Sequence, residues 1–225
     1  MTFSGPMITV LAFHGVGTPQ RPLEPGEAPL WVEPDRFTAL LDVAAQNRER
    51  VALTFDDGNK SDIEYGLPAL LSRGLTARFF VIAGRLDQPG SLSRADLATL
   101  RESGMSVGSH GMEHLPWRGM PASQLRTELV DARRIIEDAI GEKVEHVACP
   151  RGSYDYGVLR ALRQCGYEQV VTSDGGRARR DAWLQARNSL SVTDDPASVE
   201  TLVRAGEGVI HTSIRATKKL AKRWR

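Results

Sequence analysis

Two short stretches hold residues whose types and spacing can do hydrolytic chemistry. In VALTFDDGNKSD, residues 51–62, an apolar run ends in two adjacent carboxylates, Asp56 and Asp57, followed by Gly58. Neighbouring anions repel, so neither a strand nor a helix gains from the pair, whereas a cation beside it would. In VGSHGMEHLPW, residues 107–117, His110 and His114 stand four apart, a spacing from which two imidazoles can reach one metal ion. Two imidazoles and a carboxylate from another strand end form a catalytic metal set with positions left for water. On this reading Asp57 is the third ligand, and Asp56 takes a proton from the activated water. HGMEH also fits the inverted zinc-peptidase pattern, with Glu113 as base. That pattern needs a helix, and Gly108, Gly111 and Pro116 make a poor one. It would also leave both aspartates unused.

The elements that must position these groups alternate along the chain. Near-continuous apolar runs at Ile8–His14, Arg50–Phe55, Ala77–Ala83, Met105–Ser109, Val144–Cys149 and Gln169–Ser173 read as strands covered on both faces. Two weaker runs follow at Leu184–Val192 and Gly208–Thr212. Helix-period segments lie between them, at residues 34–49, 62–74, 93–104, 121–141 and 155–166. Four of these close on a glycine, Gly74, Gly104, Gly141 or Gly166, where a helix end favours a residue tolerant of left-handed backbone. Strand–helix repetition predicts a parallel α/β fold. His14, Asp56, Asp57, His110 and Arg151 all fall at strand C-terminal ends, the face on which barrel enzymes build their sites. Open sheets also bind ligands at strand carboxyl ends, but the placement favours a barrel-like, distorted or incomplete parallel (β/α) fold. The proline-rich loop from Gly15 to Glu33 is expected to lie over its mouth.

TFDDG, followed about fifty residues later by SHGMEH, resembles the first two motifs of the polysaccharide deacetylases, the NodB-homology group of carbohydrate esterases. The resemblance runs from LAFHGVG to about RNSLSV. It implies a distorted (β/α) barrel that removes acetyl groups from sugars with a divalent metal, zinc foremost, with cobalt or manganese as substitutes. It implies Asp56 as catalytic base, and Asp57, His110 and His114 as metal ligands. The later motifs depart from the family. In ACPRGSYD, residues 148–155, Ala148 stands where an arginine is expected and Arg151 where a tyrosine is. Arg151 and Arg187 are then the candidates to orient Asp56, and the Arg151 backbone N–H is the candidate oxyanion donor. His211, in GVIHTS, is the candidate general acid, with His14 as the alternative. His14, Arg187 and Trp117 are the candidate substrate-binding residues, and Trp117 and Trp31 could stack on a sugar. His146 begins a strand, at the wrong end for a site, and reads as structural.

The remaining features bound the reading. A chain of 225 residues with net charge +1 reads as a single catalytic domain, core about 7–192, with no overall field directed at nucleic acid. Cys149 and Cys165 make no disulfide framework. MITVLAF is too short and poorly flanked for a signal peptide, and no run spans a bilayer, so the expected location is the cytoplasm. RATKKLAKRWR, residues 215–225, concentrates cations that read as a solvated helix face or a weak contact with an anionic surface. The expected activity is metal-dependent hydrolysis of the N-acetyl amide of an amino sugar or saccharide. The alternatives are another linear C–N amide such as a formamide, or a catalytically impaired carbohydrate-binding relic.

Overall fold

The computed structural model describes residues 5–204. The strands, in chain order, are β1 (Met7–Phe13), β2 (Gly15–Val16), β3 (Trp31–Val32), β4 (Val51–Asp57), β5 (Ala77–Val81), β6 (Ser106–Ser109), β7 (His146–Ala148), β8 (Gln169–Thr172), β9 (Arg177–Arg179), β10 (Leu184–Ala186) and β11 (Asn188–Ser189). The α-helices are α1 (Pro34–Gln46), α2 (Leu67–Leu71), α3 (Arg94–Glu102), α4 (Ala122–Arg126), α5 (Ala132–Ile140), α6 (Tyr156–Gln164) and α7 (Pro196–Arg204). Gly74, Gly104, Gly141 and Gly166 all have positive φ after their helices, as the left-handed cap requires.

The main sheet runs β10-β8-β7-β6-β5-β4-β1-β11, and all neighbours on this path are parallel. Its first and last strands are successive pieces of one segment. β10 pairs with β8 and β11 pairs with β1, with Arg187 alone between them. The Arg187 N–H donates to the Thr172 carbonyl at 3.0 Å, and the Leu190 N–H to the Ala12 carbonyl at 2.9 Å. The segment thus bridges the two edges and nearly closes a parallel barrel. The run expected as one strand over Leu184–Val192 is split because its halves serve opposite edges. β9 was not expected; it lies antiparallel on β1 after the positive-φ pair Gly175 and Gly176 reverses the chain. The expected strand at Gly208–Thr212 lies outside the described residues.

Strands are buried on both faces, as their unbroken apolar runs require. Phe13, Phe37, Phe55 and Phe79 form a continuous aromatic contact between sheet and α1, with centroid separations of 4.7–6.0 Å. Two helical segments contain wide π turns, Asp62–Gly66 before α2 and Thr127–Asp131 between α4 and α5. At the first, Pro68 has no N–H to give Glu64, and Gly66 packs against the Phe55 ring. Each π turn delivers a buried carboxylate, Asp62 or Glu128. No helix among the described residues is long and apolar enough to cross a membrane.

Candidate active site

β4 carries Asp56 and Asp57 to the C-terminal mouth of the barrel and stops there, because Asp57 (φ 74°) and Gly58 (φ 68°) turn left-handed. Gly58 is held to that geometry by Val81, whose Cβ would lie 3.2 Å from any added side-chain carbon. The two aspartates then face different partners.

Asp56 is gripped by Arg187. Nη1 donates to Oδ1 at 2.6 Å and Nη2 to Oδ2 at 2.7 Å. Arg187 is itself fixed by the Thr54 hydroxyl at 3.1 Å and the Thr172 carbonyl at 3.3 Å. Both side chains are buried. Burial alone would raise the Asp56 carboxyl, but the charges of Arg187 and His110 and the Arg187 hydrogen bonds hold it well below the usual carboxylate range. A two-pronged guanidinium–carboxylate contact fixes orientation as well as charge.

Asp57 faces the histidines. His110 Nδ1 lies 2.9 Å from the Ala148 carbonyl, which can only accept, so Nδ1 bears the hydrogen and Nε2 keeps its lone pair. That Nε2 lies 3.7 Å from Asp57 Oδ1 and 3.7 Å from Asp56 Oδ2. Burial drives the His110 pKa down to about 4 despite both aspartates, keeping the ring neutral. His114 takes a left-handed backbone (φ 56°) that turns its ring beside His110, centroids 5.0 Å apart. Its Nδ1 lies 2.7 Å from Glu24 Oε2 and its Nε2 3.5 Å from Asp57 Oδ1. Burial pushes Glu24 up, but His114 and Arg85 outweigh it and bring the carboxyl down to about 2. Glu24 accepts from His114 Nδ1, so Nε2 is the ring nitrogen turned to Asp57.

Asp57 Oδ1 is buried and meets no hydrogen-bond donor among the described residues. One carboxylate oxygen and two imidazole nitrogens thus lie within 4.8 Å of one another. Such a set repels itself unless a cation lies between its members, and its donor types suit a divalent transition ion. Each histidine has its other nitrogen anchored to an acceptor, as metal-holding imidazoles do.

The loop expected over the mouth is there and is stapled down. β2 pairs with β3, and a Cβ on Gly15 would lie 2.2 Å from the Trp31 ring. Besides His114, Glu24 holds Arg85 and, at 2.7 Å, the guanidinium of Arg151. Arg21 is locked by Glu27 and Asn59, leaving Nη2 3.9 Å from Asp57 Oδ2. His14 Nε2 lies 3.9 Å from Asp56 Oδ2, and its Nδ1 is buried without a partner among the described residues. Glu128 accepts from the backbone N–H groups of Met112 and Glu113 at 2.8 and 3.2 Å and from the Trp117 indole at 3.2 Å, shaping the histidine loop. Asp62 is buried nearby, and burial with the charges of Asp57 and Asp56 holds its carboxyl well above the usual range.

Several expectations change here. Trp117 is wholly buried with its indole N–H spent on Glu128, so it cannot stack on a sugar; Trp31 is also buried and bonded to Glu27. Arg187 has no exposed surface and so cannot touch a substrate; its guanidinium serves Asp56 instead. The Arg151 side chain pairs with Glu24 rather than Asp56. Residues 110–114 form no helix, which removes the peptidase reading of Glu113. His146 starts β7, at the far end from the site. His211 and the basic segment 215–225 lie outside the described residues. Arg21, Glu24, Asp62 and Glu128 were not singled out from sequence.

Residues 44–170 match the sequence model of the family described as polysaccharide deacetylase. The chain belongs to the polysaccharide deacetylase family. The Bacillus subtilis (strain 168) protein YxkH is 26% identical over 171 residues, which cover 76% of this chain and 58% of that relative. The chain therefore spans little more than half of that relative's length. Peptidoglycan-N-acetylglucosamine deacetylase PgdA of Listeria monocytogenes is 30% identical over 119 residues, 52% of this chain and 25% of PgdA. Among solved structures, the Streptococcus pyogenes deacetylase PplD superposes with a TM-score of 0.77 at 20% identity, covering 89% of this chain and 99% of that one. IcaB from Ammonifex degensii gives 0.72 at 20% identity, covering 88% and 97%. These structures share the deacetylase barrel.

Proposed function

We propose that this polysaccharide-deacetylase-family chain is a hydrolase that removes the acetyl group from an N-acetylated amino sugar or saccharide, using a divalent metal ion. The observation that carries the reading is the Arg187–Asp56 pair standing beside the Asp57, His110 and His114 cluster. Membership of the family and the relatedness to PgdA support the substrate class.

Asp57, His110 and His114 would hold the ion, zinc first by donor chemistry and cobalt or manganese as substitutes. Bound there, a divalent ion supplies Lewis acidity toward the amide oxygen and lowers the pKa of a water. The chain's own groups do the rest. Arg187 keeps Asp56 ionised across the working pH range, and Asp56 takes the proton from the attacking water. The Arg151 N–H, at the turn after β7, is the candidate donor to the oxyanion. The amine nitrogen must receive a proton for the C–N bond to break and the amine to leave. His14 is the candidate donor on the described side of the mouth, and its Nε2 already neighbours Asp56.

The relic reading rested on the altered third and fifth motifs, and the fifth-motif candidate His211 lies outside the described residues. The Arg187 contact disfavours it on the third-motif side, because the guanidinium absent at Ala148 is supplied to Asp56 by the residue between β10 and β11. The test is acetate release from N-acetylglucosamine oligomers by the zinc-loaded chain and by Asp56→Asn. Release by the wild type and its loss by about a thousandfold or more in the variant supports the reading. Equal rates in both, or no release from any acetylated saccharide, contradicts it.

A further inference from the structure

The barrel has a second opening, at the N-terminal ends of β1, β4, β5, β6 and β8, opposite the aspartate–histidine mouth. A cavity of about 340 Å³ lies there, on the order of ten water volumes and within the size range of small-metabolite pockets. Among the described residues that line it, three are arginines, Arg48, Arg78 and Arg180, and none is a carboxylate. Arginines are rarely buried without an acidic partner.

Arg78 is the deepest of the three. Its Nη1 donates to Gln169 Oε1, while its Nε is buried and meets no acceptor among the described residues. Its guanidinium lies 5.9 Å from the centre of the Phe80 ring, and the same ring lies 5.3 Å from the guanidinium of Arg187. Burial and then the like charge of Arg187 push Arg78 down to about 10. The nearby His146 is no counter-ion: burial first, and Arg78 second, lower its pKa to about 4. Glu145, which also neighbours His146, is engaged by Lys143 at 3.3 Å. At the rim, Arg48 gives its Nε to the Ala45 carbonyl and Arg180 its Nη2 to the Glu49 carbonyl. Among the described residues neither guanidinium has a side-chain partner.

We infer that this cavity binds a small organic molecule bearing a multiply charged oxyanion, a phosphate ester or a polycarboxylate, with Arg78 at its floor and Arg48 and Arg180 closing on the charge. A forked guanidinium matches such an oxyanion geometrically, and a cavity far larger than one inorganic ion leaves room for an organic body. The bound anion would also offset the uncompensated burial of Arg78 beside Arg187. This site is independent of the proposed hydrolysis.

The test is isothermal titration of the full chain with glucose 6-phosphate, citrate, inorganic phosphate and neutral glucose. It is run on the wild type and on a His110→Ala/His114→Ala variant, which removes chelation by an ion at the other mouth. Saturable binding of one organic anion per chain in both proteins, without binding of glucose, is expected. Arg48→Ala/Arg180→Ala, at exposed positions that leave the core intact, should weaken it about tenfold or more. Preference for glucose 6-phosphate assigns a phosphate ester, and preference for citrate a polycarboxylate. Four results would overturn the inference: no binding at millimolar concentrations, binding unchanged in the arginine variant, binding lost in the histidine variant, or inorganic phosphate binding as tightly as either organic anion.

Discussion

Arg187 reaches Asp56 from the one residue that separates the two edge strands of the sheet, so closing the barrel and orienting the carboxylate are a single structural act. In Arg187→Met, Asp56 is left as a buried charge without its partner. Loss of one member of a buried pair costs about 3–5 kcal/mol, and urea unfolding of this variant should show a decrease of that order. The double variant Asp56→Asn/Arg187→Met should recover part of it. If the double variant loses the sum of the two single losses, the pair is not coupled in the way described.

Glu24 should govern metal affinity rather than chemistry. It fixes the Nδ1 hydrogen of His114 from the proline-rich loop and is tied down by Arg85 and Arg151. Outer partners of this kind are worth about 10–100-fold in metal affinity. Competition titration with a zinc chelator should show that weakening in Glu24→Ala, while turnover at saturating zinc falls much less. An unchanged zinc affinity would remove Glu24 from the site's support.

Glu128 should control the shape of the histidine loop. In Glu128→Leu, the N–H groups of Met112 and Glu113 and the Trp117 indole lose their acceptor. Each unpaired buried donor costs about 1–3 kcal/mol, so a strong loss of stability is expected together with a lower zinc content. Glu128→Gln retains one acceptor oxygen and should lie between the two. Circular dichroism melts and elemental analysis of the same preparations check both effects.

The metal-free protein should lose stability on mild acidification. His110 and His146 titrate near 4 in the fold and near 6.5 when unfolded. Between those values the unfolded chain binds more protons, so stability is fully present above about 6.5 and falls as pH drops toward 4. Asp56, also depressed, adds a further loss at lower pH, below its ordinary carboxylate range. Urea midpoints measured in chelator should trace this slope, and His146→Gln should flatten part of it. Asp62, held well above its ordinary range, contributes the opposite slope, so a His146→Gln profile with the same slope as the wild type between pH 6.5 and 4 would show that this ring is not held neutral.

Most of the barrel was legible because buried parallel strands write themselves as unbroken apolar runs, and glycines mark four helix ends. The aspartates and histidines gathered at the mouth stood out for a similar reason: each pair is local, within one turn of a strand end. Arg187 could be raised only as one of two candidates to orient Asp56, because its role depends on which edges its flanking strands join. Glu24 was invisible, since its partner His114 lies ninety residues away in sequence. Trp117 misled because its place in a mouth loop gave no sign of Glu128, which the π turn at Thr127–Asp131 carries beneath it. Hydrophobic periodicity does not encode such turns, and both here supply buried carboxylates.

The most direct test of the central claim is the metal content of the purified chain by elemental analysis after zinc loading, beside the His110→Ala/His114→Ala variant. The account predicts about one zinc per wild-type chain, bound through Asp57, His110 and His114, and none retained by the variant. A wild type that takes up no zinc, cobalt or manganese, or a variant that keeps its ion, would contradict it.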